Sequence, residues 1–177
     1  MSIICWGDDS MFFFLFVEGK DDERFMQKYF QGENIKIIKY STMKTCKLID
    51  YLNSIKRMPD CDFHVFVDED GKGVEKVKKE YKDRLKIEEI CRITVVKYEI
   101  ESWYLAGMSS ENMSKYGMKD ILKTDVINKE GFWRLFKEKE RNINTLINIL
   151  KDYDCNLAKK RNSSFSDFHS NFESLDF

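Results

Sequence analysis

Residues 12–30, with the sequence FFFLFVEGKDDERFMQKYF, decide the fold class of this chain. The stretch opens with an apolar run of strand length from Phe12 to Val17, whose aromatic content and following glycine predict a buried β-strand. From Asp22 to Phe30 the apolar residues recur instead at helical spacing, which predicts a helix with one apolar face. Only residues 18–21 separate the two patterns, so strand and helix follow each other directly.

The same alternation of strand and helix continues as far as residue 96. Three further runs are predicted as strands, Ile35–Tyr40, Phe63–Val67 and Arg92–Val96, and the segments Lys44–Met58 and Val74–Leu85 between them as helices. Helices of this length between strands act as crossover connections, so the strands run mainly parallel and both faces of the sheet are covered. The sequence therefore predicts an α/β fold with a mainly parallel four-stranded sheet flanked by helices.

The pattern changes after Glu101, where no stretch is typical of a strand. Residues 101–106, 130–139, 142–152 and 165–175 are predicted as helical or irregular segments that pack against the sheet. A chain of 177 residues is long enough for one domain with a helical appendage. We therefore expect an α/β domain over residues 1–107 and a helical extension over residues 108–177 that packs on the same domain.

Composition narrows the class of function and the cellular compartment. The formal net charge of −1 gives no overall basic excess, so any binding of nucleic acid must be local. The longest apolar run, Met11–Val17, is far shorter than the roughly 20 residues of a membrane helix, and the start of the chain does not resemble a signal peptide. The cysteines are scattered without a C-x-x-C pair, which is typical of reduced thiols. We expect a cytoplasmic protein that does not enter a membrane.

Acidic residues follow three of the predicted strands at the point where each strand ends. Glu18 follows the first strand, Asp68 and Asp70 follow the third, and Glu99 and Glu101 follow the fourth. In an open parallel sheet the carboxyl ends of the strands share one edge, where ligands bind. These acids, although remote in sequence, are therefore expected to converge.

Carboxylates that converge repel one another, and a divalent cation offsets that repulsion. Because the chain has only two histidines, carboxylates are the candidate ligands and hard cations the matching metals. We expect one or two Mg²⁺ or Mn²⁺ ions, since a pair of such ions clamps the attacking and leaving oxygens of a phosphoryl transfer. Asp22 stands at a predicted helix N-terminus, where it is either a further ligand or a helix cap, and the sequence leaves this open.

Four basic residues are candidates for contacts with phosphate. Lys20 lies close to Glu18 in the sequence, and Lys159, Lys160 and Arg161 form a compact basic cluster. For each of them, solvation at the surface is the competing interpretation.

Two of these segments resemble the motifs of a known domain family. Val17-Glu18-Gly19-Lys20-x-Asp22 and the later Phe66-Val67-Asp68-x-Asp70-x-x-Gly73 resemble the toprim domain shared by topoisomerases, bacterial primases and overcoming-lysogenization-defect nucleases. Residues 99–106, EIESWYLA, and residues 161–168, RNSSFSDF, are similar to segments of small stand-alone toprim-like proteins. Together the motifs frame residues 11–106 and reach the tail.

The resemblance implies a Rossmann-like toprim fold and roles for the acids. Glu18 would be a metal ligand or the general acid and base of the first motif, with Asp22 as that motif's aspartate. Asp68 and Asp70 would be the metal ligands of the second motif, and Glu101, with Glu99 as its competitor, would fill the later acidic position of the nuclease branch. The chain departs from larger family members in having no G-x-x-x-x-G-K-[ST] motif, so any ATPase would be a separate chain.

The sequence supports three hypotheses for function. The first is a Mg²⁺- or Mn²⁺-dependent nuclease that cuts DNA or RNA, with Glu18, Asp68, Asp70 and Glu101 as catalytic acids. The second is a non-catalytic module that binds nucleic acid or a partner within a defence or repair complex. The third is an enzyme that acts on small phosphorylated substrates at the same site. The oligomeric state, including a homodimer, is left open.

Overall fold

The computed structural model of the chain describes residues 11–30 and 32–173, and its first part is a parallel sheet with helices between the strands. The strands are β1 (Phe12–Val17), β2 (Ile35–Lys39), β3 (Cys61–Asp68) and β4 (Ile93–Val96). The helices between them are α1 (Lys20–Tyr29), α2 (Thr45–Ile55) and α3 (Val74–Leu85). The predicted α/β fold with a four-stranded parallel sheet flanked by helices is confirmed, and it is Rossmann-like.

The order of the strands determines which strand ends lie together at one edge of the sheet. The strands lie side by side in the order β2-β1-β3-β4, and β1 pairs in parallel with both β2 and β3. The register aligns Phe16 with Ile38 on one side and with Val65 on the other. The strand order therefore reverses at β1, because β2 follows on one side of it and β3 on the other. In a parallel sheet such a switch point opens a crevice at the carboxyl ends of the two diverging strands.

One face of the sheet forms a hydrophobic core with α2 and α3. Apolar side chains from all four strands meet the apolar faces of the two helices there, among them Phe16, Phe63, Val65, Leu52 and Val77. The rings of Phe16 and Phe63 meet edge to face, with their centroids 6.4 Å apart. Each fully buried side chain of this kind contributes about 1.5–3 kcal/mol relative to an exposed one. This packing holds the ends of β1 and β3 side by side, which fixes the residues that follow them.

A buried polar contact joins β3 to β4. The ring nitrogen Nε2 of His64 lies 2.8 Å from the hydroxyl oxygen of Thr94, and both side chains are buried. Burial lowers the pKa of His64 to about 3, so its imidazole is neutral near pH 7. His64 therefore acts as a packed structural residue of the sheet.

The described chain divides into two compact units after Val95. We call the first the sheet unit; the second, the helical unit, runs from Val96 to Glu173. The helical unit contains α4 (Glu101–Ala106), α5 (Ser110–Lys115), α6 (Lys129–Arg134), α7 (Ile143–Lys151), α8 (Cys155–Arg161) and α9 (Ser163–Glu173). Its described residues after Val96 contain no strand, as the sequence predicts. The sequence-based division after residue 107 assigns α4 to the sheet domain, whereas the contacts assign it to the helical unit.

The late sequence motif RNSSFSDF forms the polar centre of the helical unit. Asn162 is completely buried, and its amide group donates to the hydroxyl oxygens of Ser102 at 3.2 Å and of Thr124 at 3.1 Å. The carbonyl oxygen of the same side chain accepts a hydrogen bond of 2.8 Å from the Ser164 hydroxyl. The Ser164 oxygen in turn accepts a hydrogen bond of 2.9 Å from the Trp103 indole. The motif therefore ties α4 to the start of α9 through hydrogen bonds between buried side chains.

The described cysteines carry free thiols, and these residues are Cys46, Cys61, Cys91 and Cys155. Cys5 lies outside the described residues. No helix within residues 11–30 or 32–173 is both long enough and apolar enough to cross a lipid bilayer.

Candidate functional site

The carboxyl ends of β1 and β3 carry three of the predicted acidic residues. Glu18 directly follows β1, Asp68 is the last residue of β3, and Asp70 lies in the turn before α3. The Glu18 carboxylate accepts a hydrogen bond from the backbone N–H of Asp68 and is close enough to Asp70 to be repelled by its charge. The structure therefore brings Glu18, Asp68 and Asp70 together at the switch point of the sheet.

The turn after β3 holds Asp70 in a left-handed backbone conformation. Its φ is +50°, and Gly71 and Gly73 follow with φ values of +70° and +94°. Aspartate visits this region more readily than most residues, and glycine does so without a steric penalty. At a non-glycine residue the conformation costs about 1–2 kcal/mol, and such strain concentrates at functional sites. The turn thus holds Asp70 at the sheet edge at a cost in stability.

The Glu18 carboxyl is half-buried, and its pKa is raised above the ordinary value of 4.5. Burial is the larger cause, because a desolvated carboxylate loses its hydration, and the negative charge of Asp70 adds to the effect. The N–H of Asp68 and the positive charges of Arg84 and Lys72 act in the opposite direction. The net result is a carboxyl that holds its proton to a higher pH than an ordinary glutamate does.

Lys72 supplies a positive charge at the rim of the site. Its ammonium nitrogen lies 3.2 Å from Oδ2 of Asp70, and both side chains are exposed. The hydrogen bond and the charge of Asp70 raise the pKa of Lys72. Because the pair is exposed, water and salt screen it, and another cation can displace the lysine. Asp70 is therefore accessible from solvent to an ion or a substrate.

Tyr40 belongs to the same site, although the sequence analysis does not identify it. It directly follows β2, its backbone N–H donates to the Val17 carbonyl at 2.9 Å, and the residue is 4% exposed. Its hydroxyl donates a hydrogen bond of 3.1 Å to the carbonyl oxygen of Phe66 on β3. Burial, followed by the nearby Tyr81 and Glu18, raises the pKa of Tyr40 far above its ordinary value, so the phenol is neutral. Its position after a strand, at the edge that carries the acids, is the feature that could have identified it.

Asp22 caps the N-terminus of α1. Its Oδ2 accepts a hydrogen bond of 3.0 Å from the backbone N–H of Gly19, and its side chain is buried. A Cβ added at Gly19 would lie 3.0 Å from the same oxygen, so a larger residue there would disturb the cap. The backbone of Gly19 is extended, with a φ of −123°, so steric room and not a left-handed turn explains the glycine. The capping role is thus observed, and metal binding by Asp22 stays a prediction.

In the helical unit, one lysine contacts both of the later acids. The ammonium nitrogen of Lys129 lies 2.8 Å from Oε1 of Glu101, whose side chain is 2% exposed. The backbone N–H of Lys129 donates to Oε2 of Glu99 at 2.6 Å. Lys129 lies in a stretch without a recognisable motif, so sequence analysis offers no feature that would identify it. Glu99 and Glu101 belong to the helical unit, and their convergence with Glu18 stays a prediction.

The predicted phosphate-binding residues lie in different environments. Lys20 and Lys160 are exposed, and Lys159 is half-buried. Arg161 is 5% exposed, and its guanidinium donates to a side-chain oxygen of Asp120 at 2.7 Å and to a backbone carbonyl oxygen. These contacts give Arg161 a structural role in the helical unit. Lys20 and Lys160 are therefore better placed than Arg161 to contact phosphate from solvent.

The ligand chemistry at the switch point matches that of a hard divalent cation. The three acidic side chains there offer carboxylate oxygens, the ligand type that Mg²⁺ and Mn²⁺ prefer. Oδ1 of Asp68 is buried, and a cation would relieve the repulsion between Glu18 and Asp70. In the part of the chain that the structure describes, no three or more histidine, cysteine or acidic side chains form a ready-made group for a metal ion. The residues thus fit such an ion by their chemistry, and its binding stays a prediction.

Comparisons of the chain with protein-family models, curated proteins and solved structures gave no match. The resemblance to toprim domains rests on the motifs in residues 17–22 and 66–73 and stays a hypothesis. The geometry at the switch point is therefore the main evidence on function.

Replacement of Glu18 by glutamine is expected to stabilise the protein near pH 7 and to do so less near pH 4. A raised pKa means that the folded state binds the Glu18 proton more tightly than the unfolded chain does. The stability contributed by the neutral carboxyl is present below 4.5 and is lost as pH rises through the folded pKa, whereas glutamine stays neutral throughout. Thermal unfolding of wild type and Glu18→Gln at about pH 4 and about pH 7 measures the difference.

The control for this experiment is Glu88→Gln, which removes an exposed carboxylate elsewhere in the sheet unit. If the unfolding midpoint of Glu18→Gln differs from that of wild type by the same amount at both pH values, the electrostatics described for Glu18 are wrong.

Replacement of Lys129 by methionine is expected to lower the free energy of unfolding by about 1–3 kcal/mol, because a buried carboxylate loses a charged hydrogen-bond partner. Arg134→Met is the matched control on the same helix, since Arg134 pairs at 3.4 Å with Glu130 where both side chains are highly exposed. The control should cost less than about 0.5 kcal/mol. If chemical denaturation gives equal losses in the free energy of unfolding for the two variants, the Lys129–Glu101 pair contributes no more than an exposed ion pair.

Proposed function

We propose that this chain is a Mg²⁺- or Mn²⁺-dependent phosphoryl-transfer enzyme that cuts phosphodiester bonds of DNA or RNA. The observation that supports this best is the state of Glu18 at the switch point. Its carboxyl is half-buried, bound to the Asp68 N–H and repelled by Asp70. The resemblance of the two acidic motifs to those of toprim nucleases supports the same proposal.

Each acid has a role in this proposal that follows from its surroundings. Asp68 and the exposed Asp70 would hold the ion with Glu18 beside them. A divalent cation bound there would supply positive charge to the phosphoryl oxygens. Because its pKa is raised, Glu18 is suited to take a proton from the attacking water and to return one to the leaving oxygen. Glu101 is the expected further acid on the strength of the resemblance alone.

Positive charge beside the acids favours a polyanionic substrate. Lys72 and Arg84 lie close enough to Glu18 to lower its pKa, and the exposed Lys20 follows it in the sequence. In a chain of net charge −1, such local cations would supply the phosphate contacts that position nucleic acid. The competing substrate class is small phosphorylated molecules, and substrate screening separates the two.

The free thiols of the described cysteines fit the reducing cytoplasm that we propose as the compartment.

Purified protein is expected to cleave nucleic acid in the presence of Mn²⁺ and to lose this activity with a chelator. Glu18→Gln and Asp68→Asn should each reduce the rate by about 10²–10⁴-fold, because each removes a group that acts on the reacting phosphate. Asp50→Asn removes an exposed acid on α2 and is the control, which should cleave at the wild-type rate. Equal cleavage by wild type and the Glu18→Gln/Asp68→Asn double variant, on single- and double-stranded substrates, would reject the proposal.

A non-catalytic binding module is the second candidate, and the ion pair of Lys129 with Glu101 favours it. An ammonium group 2.8 Å from Glu101 already neutralises one of the acids that the nuclease hypothesis uses. The chain would then serve as a subunit that binds nucleic acid or a partner, beside a separate ATPase chain or as a homodimer. Purification of the native assembly separates the candidates: a lone chain with metal-dependent nuclease activity rejects the binding module, and a stable inactive complex with an ATPase supports it.

A further inference from the structure

The hydroxyl of Tyr40 links two strands that are not neighbours in the sheet. In the order β2-β1-β3, β1 lies between the strand that Tyr40 follows and the strand that contains Phe66. Neighbouring strands lie about 4.8 Å apart, so β2 and β3 are about 10 Å apart. The Tyr40 side chain therefore crosses the end of β1 to place its hydroxyl oxygen 3.1 Å from the carbonyl oxygen of Phe66.

This crossing takes place where Glu18 leaves the sheet. The backbone N–H of Tyr40 donates to the carbonyl of Val17 at 2.9 Å, and because Val17 pairs with Lys39, Tyr40 lies one residue beyond the level of Val17. Glu18 is the next residue, and its carboxylate accepts a hydrogen bond from the N–H of Asp68. Tyr40 and Glu18 thus both bind the last residues of β3, one at the Phe66 carbonyl and the other at the Asp68 N–H.

The direction of the Tyr40 hydrogen bond follows from its chemistry. A phenol has one proton, and the geometry directs that of Tyr40 to the Phe66 carbonyl. Tyr81 on α3 lies close enough to Tyr40 to raise the pKa of its phenol. The carboxyl end of β3 is therefore held from the end of β2 through one buried hydroxyl group.

We propose that Tyr40 is a positioning residue for the candidate site, whose hydroxyl fixes the carboxyl end of β3 against the end of β1. It thereby sets the position of Asp68 relative to Glu18. The charged groups that act on Glu18 from other elements are Asp70 and Lys72 in the turn after β3 and Arg84 on α3. The catalytic consequence rests on the proposed function, whereas the positioning of the strand ends does not.

Tyr40→Phe tests the positioning, because it removes the hydroxyl and keeps the ring in the core. The backbone amide of Asp68 is expected to exchange with deuterium at least about tenfold faster in the variant, as its hydrogen bond opens more often. Tyr51→Phe is the matched control, since the Tyr51 ring packs edge-on against Phe16 in the same core. It should leave the Asp68 amide at the wild-type exchange rate. Equal Asp68 exchange rates in wild type and Tyr40→Phe, measured by NMR, would overturn the inference.

Metal-dependent cleavage tests the catalytic consequence. Tyr40→Phe is expected to lower kcat about tenfold with KM unchanged, because misplaced acids slow the chemistry without removing substrate contacts. Faster exchange of the Asp68 amide with an unchanged kcat would make Tyr40 a purely structural residue and overturn its role in catalysis. A wild type that cleaves no nucleic acid overturns the proposed function and the catalytic half of this inference, while the exchange rates still decide the positioning half.

Discussion

The pairing of β1 with β2 on one side and with β3 on the other is the constraint on which the candidate site depends. Parallel pairing places the carboxyl ends of all three strands at one edge, and the reversal of strand order at β1 puts Glu18 and Asp68 at the switch point of that edge. Tyr40 reaches the same place because β2 ends level with β1. If β2 lay elsewhere in the sheet, Tyr40, which follows it, could not meet Phe66 on β3, and the acids would lose this buried neighbour.

The electrostatics of the site follow from this packing and oppose stability. Burial and the charge of Asp70 both disfavour an ionised Glu18, and the Asp68 N–H, Arg84 and Lys72 offset only part of that cost. This electrostatic cost does not help the sheet to fold, since a neutral side chain at position 18 would avoid it. The left-handed backbone of Asp70 adds a second local cost at the same edge. The desolvated Glu18 carboxyl and the left-handed backbone of Asp70 both oppose folding, so their presence at one edge favours a role in binding or chemistry.

Sequence pattern predicted the strands and crossover helices because each has an apolar periodicity of its own, and α3 spans Val74–Leu85 as predicted. It predicted the acids at the sheet edge because their place depends only on where strands end. It missed Tyr40 as a site residue, since the contact of Tyr40 with Phe66 depends on the order of the strands, which the local sequence pattern does not reveal.

In the helical unit, the short helices α5 and α8, which begin at caps from Ser109 and Asp154, were missed because one or two turns carry little periodicity. The inward position of Arg161 depends on Asp120, a distant residue that no local pattern connects to it.

The ion pair of Lys129 with Glu101 bears on the choice between an enzyme and a binding module. Its two ends differ in burial: the Glu101 side chain is 2% exposed, whereas that of Lys129 is 49% exposed. A carboxylate so deeply buried requires a cation, but another cation can replace a half-exposed lysine, whose ammonium group then recovers its hydration in solvent. The acid is therefore fixed and its counter-ion is exchangeable, which is the arrangement that a cation-binding position needs. A permanent structural pair would be expected to bury both partners, so the exposure of Lys129 limits the support that this ion pair gives to the binding module.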